Sequence, residues 1–198
     1  MLVSFEGVDG SGKSTQAQLL AEHLQAAGRD VVLTREPGGT PLGEAIRGLL
    51  LGRGAMSAWT EAALFAAARA ELVAQVIAPA LDRGAWVVCD RYVDSSLAYQ
   101  GIARGLGVDE VLEMNLPVIG GRLPDRTFVL LLDAPESARR LGGEPDRIER
   151  EGDAFRARVN DAYRELAARF PERIVTVDGT LPVEEIANTV LVDLESRV

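Results

Sequence analysis

Gly7-Val8-Asp9-Gly10-Ser11-Gly12-Lys13-Ser14 matches G-x-x-x-x-G-K-[ST], the phosphate-binding P-loop, without gap or substitution. Few local patterns restrict a fold as strongly, because this loop works only between a strand and a helix. Its glycines let the backbone wrap until N–H groups face phosphate oxygens, and the following helix adds the positive end of its dipole. Both flanks are present. Leu2-Val3-Ser4-Phe5 reads as a short buried strand, since parallel strands covered on both faces are nearly continuous apolar runs. From Ser14 to Ala27, Ala17, Leu20, Ala21 and Leu24 recur at helical spacing, and Gly28 supplies a C-terminal stop. Lys13 is the sole lysine of the chain, all other Lys/Arg positions being arginine. A nucleotide-composition bias accounts for the missing lysines but not for where the exception falls.

The rest of the chain alternates in the same way. Strands are predicted near 2–6, 30–34, 85–89, 127–132 and 173–177, and helices near 14–27, 41–51, 60–81, 94–103, 108–119, 135–141, 152–169 and 182–195. Strands separated by helical segments form βαβ units and a parallel sheet. The expected architecture is a single α/β domain over 1–198, a three-layer αβα P-loop fold with five parallel strands surrounded by helices. No repeat, low-complexity tract or linker interrupts it. A single cysteine, Cys89, rules out an internal disulfide framework and suits a reducing cytoplasm. It precedes Asp90 at a strand end, where a small buried side chain is expected rather than a reactive thiol. The one histidine, His23, lies off the apolar stripe of its helix, so histidine catalysis and multi-histidine metal sites are not expected.

Charge narrows the partners. A formal net charge of −9 weighs against nucleic acid and against anionic membrane surfaces. No uninterrupted apolar stretch of about 18 residues suggests a membrane span. The chain opens directly on a strand, which leaves no room for a signal peptide. If the ligands are phosphates, a few arginines must build a locally positive cleft on an acidic protein.

Three further segments make the pattern specific: Thr34-Arg35-Glu36-Pro37-Gly38-Gly39-Thr40, the run from Cys89-Asp90-Arg91-Tyr92 to Tyr99-Gln100-Gly101, and Asp146-Arg147-Ile148-Glu149. With the P-loop extended to Thr15, and in this order from about residue 2 to the last helix, the chain resembles the bacterial thymidylate kinases. The resemblance implies transfer of the ATP γ-phosphate to dTMP, with Mg²⁺, in a homodimer. Helices 60–81 and 108–119 are candidates for the dimer interface.

The residues suit that chemistry. Phosphoryl transfer depends on positioning and charge neutralisation, and an acceptor that is already an ionised phosphate needs no strong base. The resemblance assigns ATP binding to Gly7 through Thr15 (Gly7, Val8, Asp9, Gly10, Ser11, Gly12, Lys13, Ser14 and Thr15), with Arg139 and Arg140 as lid candidates. It gives Ser14 and Asp90 to the metal, and catalysis to Lys13, Asp90, Arg91 and Arg147. For dTMP it points to Arg91, Arg35 and Arg47 at the phosphate, with Glu36 orienting a guanidinium. Phe65 would stack on the base and Arg69, one turn later, would bond a ring carbonyl. Ser96 and Gln100 match the thymine edge, Tyr99 the sugar 2′ position and Asp9 the 3′-hydroxyl. Asp178-Gly179-Thr180 matches a loop near adenine.

Blander roles stand beside these: Asp90–Arg91 as a structural pair, Arg47 as a solvated helix residue, Phe65 as core, Arg139 and Arg140 as complements to a helix dipole. The lid, about 141–150, departs from the family pattern. It is short and carries Gly142 and Gly143 where a basic residue often stands. Two other activities remain open. A deoxynucleoside kinase would use Glu36 as a base on a hydroxyl, whereas a nucleotide-dependent switch would lack a second phosphate site.

Overall fold

Period-two alternation in the first strand decides how the layers stack. A computed structural model describes residues 1–52, 54–142 and 144–195. In β1 (Leu2–Glu6), Val3 and Phe5 face a core built with α1 (Lys13–Ala26) and α9 (Val183–Glu195) through Ala17, Leu20, Leu24, Ile186 and Val190. Leu2 faces the opposite layer, and by the same alternation Ser4 and Glu6 face it too. The sheet order is β2 (Val31–Arg35), β3 (Trp86–Asp90), β1, β4 (Arg126–Leu131) and β5 (Ile174–Asp178), all parallel. Asp90 lies level with Phe5 on one side and Arg35 on the other. The P-loop and the ends of β2 and β3 therefore emerge together at the carboxyl edge, where open α/β sheets bind ligands.

Local signals set the helices. α1 begins at Lys13 behind Gly12, whose φ is 95°, and no side chain caps it. Its first N–H groups thus stay available to an anion. It ends as expected at Gly28, where Gly28 N–H donates to the Gln25 carbonyl and Arg29 N–H to that of Leu24. Thr40 caps α2 (Pro41–Leu51), and Ser57 caps α3 (Ala58–Leu72). α3 runs on through a π-helical turn, Val73–Ile77, into α4 (Ala78–Asp82). This 25-residue rod is long and apolar enough to cross a membrane by length and composition. It nevertheless carries Glu61 and Arg69, both buried and ion-paired inside the domain.

α5 (Val93–Ser96) likewise continues as a π-helical turn, Leu97–Ala103. Then come α6 (Val108–Val118), α7 (Ala134–Arg140), a 3₁₀ turn at Glu149–Glu151 and α8 (Asp153–Arg169). Predicted boundaries differ from these by at most two residues. The two π-helical turns are the new element, since one wide turn is lost in a 3.6-residue periodicity.

Beneath the sheet, Arg173 donates two hydrogen bonds to Asp94, at 2.6 and 2.7 Å, and Thr127 donates a third at 2.8 Å. This fastens α5 to β4 and to the residue preceding β5. Replacing Arg173 by Leu leaves the Asp94 carboxylate buried with its charge uncompensated and is expected to destabilise the fold by about 3–5 kcal/mol. Adding Asp94→Asn should recover part of that loss, as measured by urea unfolding of the single and double variants.

Candidate active site

Gly7 is required by space as well as by conformation, and Gly10 is tight on both counts. Gly7 has φ 137°, and a Cβ there would sit 2.5 Å from the Leu130 carbonyl oxygen. Gly10 has φ 78°, and its Cβ would come within 3.1 Å of the Ser137 carbonyl oxygen and 3.2 Å of Arg140 Cβ. The loop apex therefore packs directly on α7, where the Ser137 hydroxyl also donates to the Asp9 carbonyl at 2.6 Å. Lys13, only 6% exposed, donates to the Val8 carbonyl at 2.9 Å and stands 3.7 Å from Asp9 Oδ1. Burial, helped by the neighbouring Arg91, pulls its pKa down to about 8 against the pull of Asp9, Asp90 and Glu6. The Ser11 hydroxyl is buried in the loop without a partner.

The Ser14 hydroxyl donates to Asp90 Oδ2 at 2.5 Å. Among the described residues no three Asp, Glu, His or Cys side chains gather as a metal cage. Magnesium needs none, because it keeps waters and phosphate oxygens and takes one or two protein oxygens. Ser14 and Asp90 fit that donor set.

Beside the loop lies a half-open cavity. Asp9, Glu36, Arg47, Phe65, Arg91, Ser96, Tyr99 and Gln100, all expected from the sequence, line it. Arg91 is the one non-glycine with positive φ, 68°, among the described residues. It donates to the Gly7 carbonyl at 2.9 Å, to Ser95 Oγ at 3.2 Å and to Asp9 Oδ1 at 2.5 Å, and it lies 5.3 Å from the Tyr99 ring centre. Burial alone would raise the pKa of Asp9, but Arg91 and Lys13 outweigh it and hold the carboxyl well below its usual range.

Behind Arg91 stands Glu6, which sequence reading passed over as the tail of an apolar run. Its carboxylate accepts the Tyr92 N–H at 2.7 Å and the hydroxyls of Ser95 and Tyr163 at 2.5 and 2.9 Å. Burial, with Asp94 nearby, pushes its pKa up to about 7. Glu36 is also raised to about 7 by burial, against the opposing Arg69.

Several expected contacts fall elsewhere. Arg69 does not line the cavity. Only 1% exposed, it donates to Glu36 (2.8 Å), Asn115 (2.5 Å), the Tyr92 carbonyl (3.2 Å) and Ser96 (3.1 Å). A buried guanidinium needs such partners, and through Glu36 and Ser96 it braces two residues that line the cavity. Arg35 turns to Glu44 at 2.9 Å and lines a separate open groove with Ser14 and Asp90. Arg47 does face the cavity, its guanidinium tied to the Pro37 carbonyl at 3.0 Å.

In the lid, Arg139 and Arg140 both bond Glu136, and Arg140 also reaches the Gly179 carbonyl at 2.9 Å. Arg147 points to the other side of the cavity, donating to the Leu50 carbonyl at 2.7 Å and pairing with Glu61 at 2.7 Å. Gly143, part of the expected lid, lies outside the described residues. Cys89 is buried and His23 is exposed, as expected.

Because Glu6 and Glu36 hold protons in the fold that their unfolded forms release near pH 4.5, the native state binds more protons between about 4.5 and 7. Stability should therefore fall as pH rises through that window. Glu6→Gln should flatten the decline by on the order of 2 kcal/mol, read from urea midpoints across pH.

A P-loop opening onto an uncapped helix N-terminus, and a cavity lined by Arg47 and Arg91 that shares Asp9 with it, leave little choice of class. The fold and site define a P-loop nucleoside monophosphate kinase. A profile of the thymidylate kinase family matches residues 5–190, and the chain belongs to that family. The thymidylate kinase of Symbiobacterium thermophilum is 52% identical over 191 residues, covering 94% of this chain and 88% of that protein. That of Alkalilimnicola ehrlichii is 49% identical over 203 residues, covering 99% and 93%. The crystal structure of thymidylate kinase from Ehrlichia chaffeensis superposes with a TM-score of 0.78 at 35% identity, covering 96% of this chain and 98% of that one.

Proposed function

We propose that this phosphotransferase moves the ATP γ-phosphate onto dTMP, giving dTDP and ADP for dTTP synthesis, as one domain spanning 1–198. The observation that carries the reading is the placement of Asp9 and Arg91. Both line the acceptor cavity, and both touch the P-loop, through the Arg91 bonds to the Gly7 carbonyl and Asp9. A phosphate gripped by Arg91 would lie beside the donor phosphates at Lys13, which supplies the proximity this reaction needs.

Lys13 neutralises charge on the transferring group, and the unoccupied N–H groups at the start of α1 hold the donor phosphates. Mg²⁺ held by Ser14 and Asp90 would screen the donor phosphate oxygens. Phe65 and Tyr99 flank the nucleoside, and Ser96 and Gln100 meet the base edge. Arg139, Arg140 and Arg147 stay candidates for the lid contribution. The cytoplasm suits the lone buried thiol, and an acidic surface disfavours nucleic acid and anionic membranes. We assign the solution state as a homodimer, with α3 and α6 as candidate interface helices.

Glu36, with one free oxygen on the cavity and a pKa of about 7, keeps a hydroxyl acceptor in play. ADP release with ATP, Mg²⁺ and dTMP, dUMP, dCMP, AMP, GMP or thymidine separates the readings. Strong turnover with dTMP and none with thymidine is expected, and the reverse would make Glu36 the base. Lys13→Met should abolish transfer while leaving dTMP binding largely intact by calorimetry. Arg91→Ala should raise the dTMP KM and lower kcat together, cutting kcat/KM about 100- to 1000-fold. Unchanged kinetics would reduce Asp90–Arg91 to a structural pair.

A further inference from the structure

Glu61 sits in the first turn of α3 and is 1% exposed. The Gln100 side-chain NH₂ donates to Glu61 Oε1 at 2.8 Å. A carboxylate only accepts, so the chemistry leaves Gln100 one orientation, nitrogen toward Glu61 and oxygen away. That oxygen is buried, has no partner and belongs to a residue lining the acceptor cavity. Arg104 and Arg147 pair with the same carboxylate at 3.1 and 2.7 Å and keep it ionised. Burial would raise its pKa, but Gln100 and these guanidiniums bring it below the ordinary range.

We propose that Glu61 is a positioning residue for substrate choice. By fixing the Gln100 amide, it makes the cavity accept a pyrimidine whose N3 carries a hydrogen and refuse one whose N3 is a bare acceptor. This rests on the dTMP reading above. Thymine and uracil present N3–H to the fixed oxygen, whereas cytosine sets a lone pair against it. Among the described residues that line the cavity, Glu36 Oε1 is the other unpartnered buried oxygen, and the Glu36 carboxyl is held by Arg69 rather than by Glu61. An unmatched buried acceptor lowers kcat/KM roughly 10- to 100-fold.

The test compares kcat/KM for dTMP and dCMP in the wild type, Glu61→Gln and Glu61→Asp, with the dCMP inhibition constant read where turnover is too slow. Glutamine can donate as well as accept, which lets the Gln100 amide turn over. The dTMP-to-dCMP preference should narrow by about tenfold or more. Aspartate, still acceptor-only, should keep the preference even where rates fall. A preference unmoved in Glu61→Gln, or lost equally in Glu61→Asp, overturns the proposal. If Glu61→Gln does not fold, Glu61→Gln with Arg104→Gln, in which the anion leaves with one of its cations, is read the same way. Wild-type enzyme inactive on dTMP overturns the acceptor assignment and this inference together. Wild-type activity with an unmoved ratio overturns this inference alone.

Discussion

A buried carboxylate at the end of the central strand organises the reacting side of this molecule. Glu6 gathers a backbone N–H from the turn after β3 and two hydroxyls, one from α5 and one from α8. That turn contains Arg91, whose left-handed backbone an arginine adopts only when its surroundings over-determine it. Glu6 fixes the residue after Arg91 through Tyr92, and Ser95 carries the restraint to the guanidinium itself. Arg91 is thus aimed from both its backbone and its side chain. The arrangement requires a carboxyl group to be buried, and the raised pKa of Glu6 is the trace of that cost.

Charge is distributed by the same logic. The chain carries a net −9, yet the cavity beside its P-loop is lined by Arg47 and Arg91. Other arginines hold buried acids: Arg69 pairs with Glu36, Arg104 and Arg147 share Glu61, and Arg173 pairs with Asp94. Guanidinium suits both duties, since its planar fork satisfies several oxygens at once.

Most of the fold was legible in the sequence because parallel strands and amphipathic helices write their periods plainly. β1 and α2 appear with the boundaries the pattern gives. The P-loop was legible for a stronger reason, as its glycines answer to sterics that no other residue meets. The wall of the cavity was only half legible. Phe65, Tyr99 and Gln100 line it as expected, but whether an arginine on a helix face points to a ligand or to a buried acid depends on contacts distant in the chain. Arg69 on α3 pairs with Glu36, 33 residues away, for that reason. Glu6 and Glu61 went unread because a single acid in an apolar run or a first helical turn looks like a strand end or a dipole complement. Their roles emerge only when three or four distant partners converge on them.

At Gly10, whose φ is 78°, α7 lies close against the P-loop apex, so a side chain there is strained and crowds Ser137 and Arg140. Arg147 bonds the last carbonyls of α2 through both its backbone N–H and its guanidinium. The segment that follows α7 is thus buttoned to the helix that carries Arg47, so one wall of the cavity is shared between two stretches of chain far apart in sequence.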